Sequence, residues 1–308
     1  MSHSSPDALQ QRCQQIVTSP VLSPEQKRHF LALEAENNLP YPALPEAARA
    51  ALDEGFICDM FEGHAPYKPR YVLPDYAKFL ANGSEWLELE GAKDLDDALS
   101  LLTILYHHVP SVTSMPVYLG QLDALLQPYV RILTQEEINS RIKRFWRYLD
   151  RTLPDAFMHA NIGPEDTPVT RAILRADAEL KQVAPNLTFI YDPAITPDDL
   201  LLEVAKNICE CSKPHISNGP VNDKIFTKGH YGVVSCYNSL PLAGGGSTLV
   251  RLNLKAIAEH STSMEDFFSR ALPHYCQQQM AIIDARCDFL YQQSGFFENS
   301  FLVKEGLI

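Results

Sequence analysis

Glycine is scarce in this 308-residue chain, with 14 residues, whereas proline is frequent, with 22. The chain is therefore punctuated by stiff breaks more than by flexible linkers, and it holds no fixed-period repeat or low-complexity tract. A basic excess is also lacking. Lys plus Arg is 26 against 38 for Asp plus Glu, a net charge of −12. That balance argues against a nucleic-acid backbone as partner, because such binders need a basic face to release counterions. The one basic stripe, around Arg141–Arg151, reads more simply as a solvated helix face. No run approaches the ~18 consecutive apolar residues of a membrane span. The start, MSHSSPDALQQRCQQ, has no basic segment followed by an apolar run, so neither a membrane segment nor a secretory leader is expected. Seven unevenly spaced cysteines, an odd number, read as free thiols in a reducing, cytoplasmic protein. What is present is a core: 45% hydrophobic residues with 21% charged, enough for one large domain or two ordinary ones.

Helical signals dominate up to about residue 110. Ser23, Pro24 and Gln26 combine an N-cap, a first-turn proline and a capping box, opening a helix to about Glu36. Pro45–Glu54 reads as a second helix. Leu95, Leu99, Leu102 and Tyr106 recur at spacings of 4, 3 and 4, a third helix with one apolar stripe. Thr134 and Glu137 form another capping box. Behind it Ile138, Ile142, Phe145 and Leu149 mark the buried face of a helix ending near Leu153. Residues 167–182 read as the next helix. LTFIY (187–191) is a short apolar, β-branched strand, and Thr196-Pro197-Asp198-Asp199 then starts a helix to about Cys211. YGVVSC (231–236) and TLVRLNL (248–254) read as strands, joined by NSLPLAGGGS, which fits neither helix nor ladder. A long helix follows Ser261-Thr262-Ser263 to about Gln293, with a kink expected at Pro273. Strands alternating with long helices imply an α/β architecture, mostly parallel and buried on both faces. Residues 1–110 then form a helical layer on residues 111–308. The closing NSFLVKEGLI reads as strand-like and without a polar tail, as in a fragment of a longer polypeptide.

Gly244, Gly245 and Gly246, in AGGGS, follow a strand-like segment, so phosphate cradling must be weighed. Phosphate loops place their glycines before a helix, one of them with a following lysine. Here the glycines precede a strand and no lysine is present, so a flexible turn is the simpler reading. Cys209 and Cys211 sit two apart on an expected helix and point about 200° apart around its axis. Neither CxxC nor HExxH occurs, and His64, His107 and His108 lack spaced carboxylate partners, so structural roles and no metal are expected. A cysteine hydrolase built on Cys236 with His230 would need a helix N-terminus at the thiol, and the residues after Cys236 do not start a helix. In TLVRLNL, period 2 separates Leu249, Arg251 and Asn253 from the apolar Val250, Leu252 and Leu254. Arg251 and Asn253 would then face the lumen of a closed barrel, together with the loop that carries Cys236. A guanidinium buried there calls for an acidic partner or an anionic substrate. The alternative is an edge strand with Arg251 in solvent. His159 and Asn161, in the loop-like MHANIGP, are further candidates for the same cavity.

The segment YGVVSCYNSLPLAGGGSTLVRLNLKAIA resembles the Cys-loop region of glycyl radical enzymes, the superfamily of pyruvate formate-lyase and the anaerobic ribonucleotide reductases. Upstream, PNLTFIYDPAITPDDLLLEVAKN followed by PHISN is similar to the corresponding part of the nucleotide reductases. Over essentially all 308 residues the chain resembles the YjjI-type glycyl radical proteins. The resemblance implies a barrel of two half-barrels around a finger loop. It also implies a mechanism, in which a radical stored on a backbone glycine takes hydrogen from the loop cysteine, here Cys236. The resulting thiyl takes hydrogen from a small, polar or anionic substrate and later returns it. Sulfur suits the task because a thiol exchanges a hydrogen atom reversibly, and a closed barrel keeps radicals from water and oxygen.

The departures from related enzymes are informative. Pyruvate formate-lyases carry two adjacent loop cysteines, whereas Ser235 and Tyr237 flank Cys236 here. Diol and choline-type lyases follow the cysteine with Val-Glu, whereas Tyr237-Asn238 follows here. Nucleotide reductases add an early-strand cysteine and a zinc site, and no cysteine lies between Cys58 and Cys209. The substrate therefore stays open. No Arg-Val-x-Gly-Tyr-like segment occurs, so the resemblance implies a thiyl cysteine without its radical glycine and without a cofactor of its own. Implied partners are a C-terminal half or second chain, a radical-SAM activating enzyme and a second copy in a homodimer. The alternative is a non-catalytic assembly partner of a complete or split radical enzyme.

Overall fold

The computed structural model describes residues 6–58, 67–109, 117–152, 158–234 and 238–308. Ten strands lie among them: β1 (Ile57–Cys58), β2 (Tyr71–Leu73), β3 (Tyr118–Gln121), β4 (His159–Ile162), β5 (Asn186–Tyr191), β6 (His215–Asn218), β7 (Tyr231–Val234), β8 (Asn238–Pro241), β9 (Gly244–Gly246) and β10 (Arg251–Leu252). The chain divides into two compact units, residues 1–68 with 247–296, and residues 69–246 with 297–308. Residues 69–110 thus fold with the sheet unit.

The larger unit is a mixed α/β layer structure around a parallel four-stranded sheet in the order β3-β4-β5-β6. Successive strands are joined by helical crossovers, which parallel pairing requires. The crossover helices form where expected. Thr134 and Glu137 close a reciprocal capping box ahead of the helix Gln135–Thr152, at 2.8 and 3.3 Å. Its stripe of Ile138, Ile142, Phe145 and Leu149 is buried, together with Trp146. Thr167 caps Pro168–Leu180, and Asp198–Cys211 ends where the sequence places its end. β5 is covered on both faces, with Leu187, Thr188, Phe189 and Ile190 all buried. The basic stripe is paired with acids: Arg141 with Asp96 at 2.9 Å and Lys143 with Glu179 at 2.5 Å.

In the smaller unit the capping box at Ser23 and Gln26 opens the helix Pro24–Glu36 as expected. Ala48, Ala51, Ile57, Val250 and Ile282 form its core. The long helix begins at Met264 behind the Ser263 cap and reaches Gln292. Its irregularity is a π-turn, Phe267–Ala271, in which the Leu272 N–H reaches back to the Phe267 carbonyl. Pro273 has no N–H for the regular ladder, so the perturbation falls one residue ahead of it.

Five expectations need correction. The first 110 residues are not wholly helical, since β1 and β2 lie among them. MHANIGP is not a loop; it holds β4, a central and fully buried strand. NSLPLAGGGS forms two ladders, β8 against β7 and β9 against β2, both antiparallel. Pro241 is tolerated at the ladder end. At Gly245 (φ 148°) a Cβ would collide with the Tyr71 carbonyl, so only glycine fits the β2–β9 pair. TLVRLNL is a strand only at Arg251–Leu252, because Asn253 caps the next helix, Leu254–Glu259. The closing segment forms helical turns at Phe296–Asn299 and Phe301–Lys304. Leu302 and Leu307 are buried in the larger unit, and Lys78 Nζ holds the Gly306 carbonyl at 2.9 Å.

The helices of the larger unit converge on one buried ion pair. Lys213 Nζ donates to Asp177 Oδ1 at 2.8 Å, and to the carbonyls of Gln182 at 2.8 Å and Pro185 at 3.1 Å. Asp177, fully buried, also accepts from Trp146 Nε1 at 3.2 Å and Asn207 Nδ2 at 3.3 Å. Lys213→Ala leaves an uncompensated buried carboxylate and is expected to cost about 3–5 kcal/mol in urea unfolding. The double variant Asp177→Leu/Lys213→Met should cost less than the single one, since it removes both charges together.

Candidate functional site

β7 and β8 form an antiparallel hairpin, registered Tyr231↔Pro241, Gly232↔Leu240, Val233↔Ser239 and Val234↔Asn238. Ser235, Cys236 and Tyr237 join the two strands and lie outside the described residues. The hairpin is carried on the parallel sheet by β7. Asn161, on β4 and wholly buried, donates from Nδ2 to the Val233 carbonyl at 2.9 Å and accepts at Oδ1 from the Val233 N–H at 2.8 Å. The Tyr118 hydroxyl on β3 donates to the same Oδ1 at 3.3 Å. Gly232 lies flat on the Tyr118 ring, where a Cβ would sit 2.5 Å from Cζ. Tyr231 and Val233 pack on Ile190 of β5. β8 is tied down separately. Ser239 Oγ donates to Asn222 Oδ1 at 2.8 Å, and Asn222 Nδ2 donates to Ser217 Oγ on β6 at 3.0 Å.

Asp123 supports the carboxyl end of β4. It accepts from the Gly163 N–H at 2.6 Å, the Thr170 hydroxyl at 2.9 Å and the Ala124 N–H at 2.8 Å. Burial outweighs these donors and pushes its carboxyl up to about 7. His159, also buried in β4, is pushed down to about 4 by burial and by the neighbouring His215, which keeps the imidazole neutral. A cleft of 360 Å³ runs past Leu80, Tyr118, Leu125 and Tyr129 and ends at Gly229 and Leu242, the base of the hairpin.

The expected site residues separate. Asn161, on β4, holds the strand that leads to Cys236, and His159 also lies in β4. Gly244, Gly245 and Gly246 form β9, a ladder and not a turn. Arg251 is exposed, and Asn253 spends its side chain on the Ala256 N–H at 3.1 Å and the Gly55 carbonyl at 3.1 Å, both within the smaller unit. The shared strand face expected for these two is therefore not built. Cys209 is exposed, while Cys211 donates to Asp177 at 3.3 Å. His107 meets the Tyr148 hydroxyl at 2.6 Å, His108 lies against Phe301, and His64 is outside the described residues. Among the described residues no three His, Cys, Asp or Glu are grouped to hold a metal ion, and no helix is long and apolar enough to cross a membrane. LDALL gives no local sign of the role of Asp123, whereas in MHANIGP the polar His159 and Asn161 alternate with Met158, Ala160 and Ile162, a strand signal that does not name the partner of Asn161.

A family model described as "Glycyl radical enzyme YjjI-like" matches residues 22–308. The protein YjjI of Escherichia coli (strain K12) is 90% identical over 308 residues, covering 100% of this chain and 60% of that protein. A protein of Haemophilus influenzae is 45% identical over 257 residues, covering 83% of this chain and 49% of that protein. The chain thus spans between about half and three fifths of the length of these curated relatives.

Two outcomes test this geometry. Gly232→Ala should destabilise the protein by about 1–3 kcal/mol in chemical denaturation, because the buried Tyr118 ring cannot withdraw from the added methyl group. A carboxyl raised in the folded state holds its proton longer than in the unfolded chain. Its stabilising contribution is therefore full below its ordinary value of 3.8 and is lost as pH rises towards about 7. The stability of the unmutated protein relative to Asp123→Asn should fall across that window, read from urea midpoints between pH 4 and pH 8.

Proposed function

Because this chain belongs to the YjjI-like family of glycyl radical enzymes, we propose that it carries the thiyl half of a radical reaction, with Cys236 as the hydrogen-atom shuttle and β7–β8 as the finger that delivers it. The observation that carries this reading is the hairpin: Val234 and Asn238 pair, leaving only Ser235, Cys236 and Tyr237 to connect them. Cys236 gives its S–H hydrogen atom to a backbone glycyl radical, which closes a Cα–H bond there and leaves the unpaired electron on sulfur. The sulfur then takes a hydrogen atom from a substrate C–H bond and returns it to the product radical. The residues before Cys236 suit such a step. Val233 and Val234 are buried and uncharged, so the strand that leads to Cys236 is shielded from water.

The 308 residues contain no Arg-Val-x-Gly-Tyr-like segment, so the radical glycine comes from outside them, installed by a radical-SAM activating enzyme. The parallel sheet is one side of the proposed barrel. Its edge β6 leaves Ile216 54% exposed, and the helix Gly219–Ile225 beyond it leaves Ile225 69% exposed, a surface that a second half-barrel would cover. A reaction of this kind is oxygen-sensitive and belongs in an anaerobic cytoplasm.

The test joins the chain to the part of the Escherichia coli relative that lies outside the match and activates the completed protein anaerobically with activase, reductant and S-adenosylmethionine. Electron paramagnetic resonance should show a glycyl doublet. In D2O the thiol carries deuterium, so repeated transfer between sulfur and glycine replaces the glycine α-hydrogen and collapses the doublet to a singlet. Cys236→Ala should keep the doublet and lose the collapse. Collapse at an unchanged rate in Cys236→Ala would refute the role of Cys236. The 308-residue chain alone should give no doublet and should associate in size-exclusion chromatography.

A further inference from the structure

We infer that Asn161 is the positioning residue that sets how far the finger reaches; this rests on the reading of Cys236 as the hydrogen-atom shuttle. The argument starts from main-chain accounting. In an antiparallel hairpin, alternate residues turn their N–H and C=O groups away from the partner strand. On β7 both outward groups of Val233 are taken by one side chain, the Asn161 amide, with the N–H given at 2.8 Å and the carbonyl filled at 2.9 Å. Asn161 therefore does for β7 what a neighbouring strand would do, from a side chain rooted in the centre of the parallel sheet. Its amide can bind in one orientation only. Oδ1 must face the Val233 N–H and the Tyr118 hydroxyl, so Nδ2 must face the carbonyl.

The clamp selects a single register. Both groups of the amide are wholly buried, and leaving either without a partner is expensive. Gly232 adds a steric key beside it: the strand lies against the Tyr118 ring only where a residue lacks a Cβ. Sliding β7 by one residue would present a Cβ to that ring and shift everything beyond Val233 by about 3.3 Å. Cys236 is three positions past Val233. Transfer of a hydrogen atom requires the reacting atoms within about 3–3.5 Å, so a slip of that size abolishes contact. Asn161 touches neither substrate nor the reacting sulfur in this account. It acts through the strand.

The test uses the completed, activated protein and the D2O collapse of the glycyl doublet. Asn161→Leu keeps the branched heavy-atom skeleton and removes both hydrogen bonds to Val233; its doublet should reach full amplitude while its collapse slows on the order of 100-fold. Asn161→Asp supplies a pH-dependent rescue. The neutral acid can accept from the Val233 N–H and donate to the carbonyl as the amide does, whereas the carboxylate cannot donate. Collapse in Asn161→Asp should approach the unmutated rate at low pH and fall away as pH rises, a profile absent from the unmutated protein. Collapse at the unmutated rate in both variants across the pH range would overturn the inference. If Asn161→Leu fails to fold, a flat profile in Asn161→Asp overturns it equally. Cys236→Ala separates the two claims. Collapse in that variant sinks the reading of Cys236. Collapse lost there but unaffected by either Asn161 change sinks only the role of Asn161.

Discussion

The arrangement of the larger unit depends on a buried amide that has to be satisfied. Asn161 occupies the middle of a parallel strand with no exposed surface, where an unpaired side-chain amide would cost several times what a typical hydrogen bond contributes. The sheet itself cannot supply partners, because the main-chain groups of β3 and β5 are committed to the ladder. The partners come from Val233, which draws β7 across the sheet face. Once β7 is placed, β8 follows by antiparallel pairing, and Ser239 meets Asn222 behind β6. One polar side chain in the core thereby specifies where a whole hairpin lies. Apolar packing of Tyr231 and Val233 on Ile190 adds adhesion but little directional preference.

The pair of Asp177 and Lys213 plays the corresponding role among the helices. Lys213 uses all three of its protons, on one carboxylate and two carbonyls, while Asp177 gathers Trp146 and Asn207 from the flanking helices. The Gln182 side chain ties Trp146 in as well, donating to its carbonyl at 2.9 Å. Such a network gains little over a well-packed apolar core of the same volume. What it adds is geometry, since each donor and acceptor tolerates only one placement of the helices that carry it. The helices in turn fix β5 and β6, the two strands against which the hairpin is anchored through Ile190 and Ser217.

Those devices explain what was legible in the sequence. Helices announced themselves through caps and stripes: Ser23 with Gln26, Thr134 with Glu137, and the run of Ile138, Ile142, Phe145 and Leu149. These signals are local, carried within a few residues of one another. β5 was visible because both of its faces are buried, which leaves an unbroken apolar run. β4 read as a loop although Met158, Ala160 and Ile162 alternate with His159 and Asn161, because the groups that make burial of Asn161 tolerable are supplied by distant segments. The hairpin was half visible. β7 is apolar and was found, while β8 and β9 contain Pro241 and three glycines and read as loop. Their ladders exist because β7 and β2 offer partners at separations that local propensity does not register. Cys236 was reached through resemblance, while the residue that holds its strand was noted only as a weaker candidate for substrate contact.

The ionisable groups beneath the finger share a further property. His159 is pushed down to about 4, Tyr231 up to about 12, Asp123 up to about 7, and Tyr118 well above its ordinary range, with burial the leading cause in each case. Every one of these shifts favours the neutral form. A site that moves protons gathers groups whose charges differ and whose pKa values bracket the working pH. The sheet under β7 does the opposite and penalises charge of either sign. Hydrogen-atom transfer carries no net charge between donor and acceptor, so an environment that rejects ions costs it nothing and suppresses the competing ionic reactions of a thiol. Burial acts on a thiol in the same direction: Cys211, beside Asp177, is raised to about 11, chiefly by burial. The medium around β7 therefore agrees with the proposed chemistry, since a step that moves a hydrogen atom and no charge loses nothing where neutral forms are favoured.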